Sequence, residues 1–99
     1  MQNTQLARIQ RILEFGVACK ELDAAGPKAT RSQKRKLKAF QMSLRAMLSD
    51  ELLGTIAKKH LEVLDALQHY IKTGSEVSRK RARNLWDEAS RHIYEVKLQ

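Results

Sequence analysis

Acidic residues are missing from the whole stretch between Asp23 and Asp50, and the sequence is thin in several other residue types whose scarcity narrows what the chain can be. Its single cysteine, Cys19, excludes an internal disulfide framework and sits in an apolar helical pattern, as a small buried hydrophobe in a reducing compartment does. One proline and four glycines leave long stretches unpunctuated, β-branched residues are sparse, and no segment reads as a strand. No apolar run approaches the roughly 18 to 20 residues that span a bilayer. The opening MQNTQLARIQ lacks the basic and apolar regions of a secretory signal, so a cytoplasmic location is expected. There is no glycine-rich phosphate loop, no nucleophile with a histidine at an activating spacing, and no acid pair set into an apolar face. These absences argue against an enzyme and against a bound cofactor.

What the chain does have is helical periodicity from end to end. An all-α fold in a single domain over residues 1–99 follows, with helices expected at about 3–24, 30–48, 50–72 and 75–97. The short breaks after the second and third helices favour antiparallel neighbours and hence a compact four-helix bundle. Helix 1 carries one stripe of Leu6, Ile9, Leu13, Gly16 and Val17 and a second of Ile12, Phe15, Cys19 and Leu22. A single neighbour cannot cover both, so Ile12, Phe15 and Leu22 are expected to form a subunit contact in a homodimer, the rival being a central position for helix 1. Thr30 and Gln33 have capping-box spacing at the start of helix 2, and Ser49 is the expected cap of helix 3. That second break is short enough that helices 2 and 3 could instead run on as one long bent helix in a dimer. Helix 3 has the widest apolar arc, with His60 inside it, and Gly74 is placed to close it. Gly16 and Gly54, lying within apolar faces, suggest close approach of two helix backbones.

Two acid–histidine pairs, Asp65 with His69 and Glu88 with His92, are four residues apart and lean toward the polar side; solvated pairs are the expectation, and no metal site. The charge is more telling. Of 19 basic residues seven lie between Asp23 and Asp50, leaving 12 against 11 acids elsewhere, so nearly all of the net +8 belongs to helix 2 and the loop before it. At 100° per residue Arg31, Lys34, Lys38 and Arg45 fall within about 60° of one another, with Arg35 beside them. A helix needing only solubility mixes signs and gains from i to i+4 acid–base pairs; this one forgoes them. Helix 4 starts with a second cluster that includes Arg79, Lys80 and Arg83, where cations oppose the helix dipole.

Arg31, Lys34, Arg35, Lys38, Arg45, Arg79, Lys80 and Arg83 are therefore the expected contacts with a nucleic acid, through phosphates more than bases, with DNA and RNA not distinguished. An accessory or regulatory part in a nucleoprotein complex is the corresponding role. The alternative is a helical adaptor or inhibitor that docks an acidic protein surface.

Overall fold

The computed structural model describes the backbone of residues 2–51 and 53–98 and the side chains of 7, 10, 14–51 and 53–92. Four helices follow one another: α1 (Gln2–Ala25), α2 (Arg31–Ala46), α3 (Gly54–Thr73) and α4 (Glu76–Leu98), with a 3₁₀ turn, Gly26–Lys28, between the first two. The all-α reading holds, and there is no strand among the described residues. A radius of gyration of 13.3 Å matches the ~13 Å of a compact 100-residue chain.

α3 is the hub, since α1, α2 and α4 all pack on it. Its arc of Ile56, Ala57, His60, Val63, Leu64, Leu67, Tyr70 and Ile71 is buried, wide enough to receive neighbours on several sides. Gly74 ends it in the left-handed conformation (φ 70°), its N–H donating to the Tyr70 carbonyl. α2 begins as its sequence indicates, with both halves of the Thr30–Gln33 capping box formed.

The break between α2 and α3 is longer than expected, and the two helices do not fuse. In the turn between them Ser49 does not cap α3: the N-cap is Leu53, without a side-chain cap, and the entry to the helix is held by Asp50, whose carboxylate accepts from Leu53 N at 2.9 Å and whose carbonyl accepts from Gly54 N at 2.9 Å. Ser49 is exposed. The turn tucks Leu53 into the core at 0 % exposure and curls the Leu48 carbonyl to 2.6 Å from where a Gly54 Cβ would stand. Gly54 therefore makes room for its own turn rather than for a second helix.

α1 uses its stripes differently from the expectation. Phe15, Cys19 and Leu22 are buried within the single chain, while Val17 is 62 % exposed. Phe15 packs on Phe40 of α2 with ring centroids 4.7 Å apart. The residues assigned to a subunit contact thus belong to the core: Phe15 and Leu22 are each 2 % exposed and present nothing to a second copy. Ile12, the third of them, lies outside the described side chains.

Gly16 admits a side chain, not a backbone. A Cβ there would overlap the Trp86 indole from α4. Alanine gains about 1 kcal/mol of helix propensity over glycine, but overpacking typically costs about 1–3 kcal/mol. Gly16→Ala should accordingly lose about 1 kcal/mol net, and in a Trp86→Leu background the same change should gain about that much. A double-mutant cycle by chemical denaturation measures the sign reversal.

Candidate polyanion interface

The orientation of α2 is set from its buried side. Leu37 and Leu44 enter the core at 2 % and 0 % exposure, and between them sits Gln41, a buried amide at 4 %. Its Nε2 donates to Asp65 Oδ1 at 2.9 Å and to Gln68 Oε1 at 3.0 Å, both on α3. A buried polar group needs its partners, so this fork fixes the rotation of α2 about its axis. It also engages Asp65, an acid of α3, with a neutral amide. Sequence reasoning missed Gln41 because glutamine reads as a surface residue; its position between Leu37 and Leu44 on the apolar arc was the available signal.

With that face inward, Arg31, Lys34, Arg35, Lys36, Lys38 and Arg45 are all exposed. Among the described residues none of them makes an ion pair. From Arg31 to Arg45 the stripe runs about 21 Å at 1.5 Å per residue. The first turn of α2 contains no acid, so Arg31 and Lys34 face the positive end of the helix dipole without compensation. Met42, 69 % exposed, lies within about 40° of Arg31, Arg35 and Lys38 on the outward ridge, an apolar side chain amid the cations.

The cluster on α4 is arranged otherwise. Arg79 Nε meets Asp23 Oδ1 at 3.3 Å and Arg83 Nη2 meets Asp23 Oδ2 at 3.1 Å, tying α4 to α1. Arg79 also lies 5.4 Å above the Tyr70 ring and 3.8 Å from Glu76. Partial burial pushes the Asp23 carboxyl up, but hydrogen bonds and charge from Arg83 and Arg79 outweigh it and hold the pKa below the ordinary value. Arg79 is correspondingly raised, first by its hydrogen bond to Asp23. These two arginines brace the fold; Lys80 is exposed and makes no ion pair among the described residues.

α2 bonds to α3 at Asp65 and Gln68, whereas α4 meets it at Lys59, through Glu88, and at His60, through Trp86. α4 also reaches α3 at His69, through Ser78, and position 69 is only about 40° around the helix from Asp65.

The histidines have structural surroundings. His69 Nδ1 bonds with the Ser78 hydroxyl, and among the described residues no group of three or more His, Cys, Asp or Glu could hold a metal ion. His60, 1 % exposed, donates from Nδ1 to the Ile56 carbonyl at 2.9 Å, and Trp86 approaches it edge-on. A carbonyl only accepts, so Nε2 is the bare nitrogen, and it has no hydrogen-bond partner. Burial lowers the pKa against a smaller opposing effect of the Ile56 bond. The unfolded chain therefore takes up a proton below about pH 6.5 that the folded chain refuses, and stability falls as pH drops below that value. One such group contributes at most ~1.4 kcal/mol per pH unit. His60→Leu, which also removes the unpartnered nitrogen, should flatten urea-denaturation stability between about pH 6.5 and 5; an unchanged slope would assign the dependence to other groups.

No described helix is long and apolar enough to cross a membrane. Comparison with protein-family models, with curated proteins and with solved structures gives no match.

Proposed function

We propose that the protein binds nucleic acid without catalysing a reaction, holding phosphates along the exposed face of α2. The observation that carries this reading is the set of unpaired cations at Arg31, Lys34, Arg35, Lys38 and Arg45. A fold that needed them only for solubility would be more stable with acids interspersed, and Asp65 on α3 is turned to Gln41 instead. The role fits an accessory subunit or regulator in a nucleoprotein complex. Arg79 and Arg83, occupied by Asp23, are secondary, and Lys80 adds an exposed charge on α4.

Five neutralised phosphates give a slope of log affinity against log salt near −4.5 on duplex DNA and near −3.5 on a single strand. Titrating both forms of an unrelated oligonucleotide across a salt series tests the reading and tells the two ligands apart. A slope near zero, or no binding at low salt, would sink it. The competing occupant is an acidic protein surface, favoured by the exposure of Met42, which would add an apolar anchor among the charges.

A further inference from the structure

The structure also carries a cleft with no α2 residue in its lining, independent of the nucleic-acid reading. We propose that the cleft between α1, α3 and α4 binds a small carboxylic acid with a single aromatic ring or a short aliphatic tail, body inward and carboxylate at the mouth.

The cleft encloses about 170 Å³, with an interior lined by Cys19 from α1, Val63 and Leu67 from α3, and Ala82 and Trp86 from α4. Two of its lining side chains are small, Cys19 on α1 and Ala82 on α4, and a larger residue at either would fill part of it. Trp86 forms a wall because Gly16 and His60 hold its indole to one side. Apolar cavities of about 150 Å³ in proteins accept one benzene-sized molecule, which sets the scale of the occupant. The Cys19 thiol, pushed up to about 12 by burial, stays neutral and suits an apolar body without reacting with it.

The mouth supplies the preference for an anion. Lys20, Asp23 and Arg83 line it. Asp23 is already bound by Arg83 and Arg79, so its charge is more than matched. Lys20 is exposed and makes no ion pair among the described residues. Arg83 uses one N–H on Asp23 and is 59 % exposed, which leaves donors of its fork for a second carboxylate. A cationic head would meet repulsion from Lys20 and Arg83 and an Asp23 carboxylate already taken by two arginines, and a neutral one would gain only the apolar contact.

Trp86 is the sole tryptophan, so its fluorescence reports the cleft directly. Phenylacetate, benzylamine and benzyl alcohol share a ring and differ in charge. Titrated at matched ionic strength, phenylacetate should change Trp86 emission saturably and bind about tenfold more tightly than benzylamine. Lys20→Met should remove most of that margin while leaving benzyl alcohol unaffected, and Ala82→Leu should abolish all three responses by filling the cleft. As Ala82→Leu perturbs a core position, the unaltered chain provides a second readout: millimolar phenylacetate should raise its melting temperature in a concentration-dependent way, and equimolar benzylamine should not. The proposal is overturned if phenylacetate moves neither Trp86 emission nor the melting temperature, or if benzylamine binds as tightly as phenylacetate.

Discussion

Changing Arg31, Lys34, Lys38 and Arg45 together to alanine should weaken binding to a duplex oligonucleotide by about 10²- to 10³-fold near 100 mM salt and cut the salt slope to near −1. The magnitude follows from the number of phosphates released, because each neutralised phosphate contributes about 0.9 to the slope on duplex DNA and only Arg35 would remain. The fold should survive: the four side chains are exposed, they make no ion pair among the described residues, and alanine is the best helix former. Thermal stability should even rise slightly as self-repulsion along the helix is relieved. The matched control removes equal charge elsewhere, at Lys58, Lys72, Arg81 and Arg91, all exposed on α3 or α4. If the control loses as much affinity as the α2 variant, net charge alone drives binding and the stripe has no special role.

Leu64→Ala should lower unfolding free energy by about 3–5 kcal/mol, the range for a buried leucine whose neighbours cannot close the gap. Leu64 is fully buried on the helix against which every other helix packs, so relaxation there would have to move several elements at once. In a domain of this size the loss corresponds to roughly 15–30 °C in melting temperature. Val77→Ala, at a side chain 80 % exposed, removes similar chemistry from water and should change stability by less than about 0.5 kcal/mol. A loss at Leu64 below about 1 kcal/mol would mean that α3 is not the hub.

Much of this architecture is legible in the sequence wherever local chemistry decides the outcome. The Thr30–Gln33 cap, the Gly74 terminator and the broad arc of α3 depend on residues within a few positions of each other, and each forms as its pattern indicates. The outward stripe of α2 is of the same kind, since a helix with Leu37 and Leu44 buried must turn Arg31, Lys34 and Lys38 to solvent. Long-range pairings are not encoded that way. Asp23 and Arg79 lie 56 positions apart, and nothing near either one announces that the α4 arginines close on α1. On α1 two adjacent apolar stripes pointed to a subunit contact or to a central position, and periodicity could not name the partners: Phe40 of α2 takes Phe15 of the second stripe, and Trp86 of α4 takes Gly16 of the first. At the break before α3 the pattern pointed to a cap at Ser49, whereas the helix starts later, after an N-cap at Leu53, which is fully buried and donates its N–H to Asp50. The buried Gln41 was hidden for the same reason, because its acceptors come from α3.

The most direct test of the central claim, that the outer face of α2 is where a polyanion is held, is an amide chemical-shift titration of the ¹⁵N-labelled protein with a short unrelated oligonucleotide at low salt. The account predicts that the largest shifts cluster on the exposed positions between Arg31 and Arg45, Met42 among them, that Lys80 and its neighbours move less, and that all shifts collapse as salt rises. Largest shifts on α4, or none anywhere at saturating oligonucleotide, would contradict it.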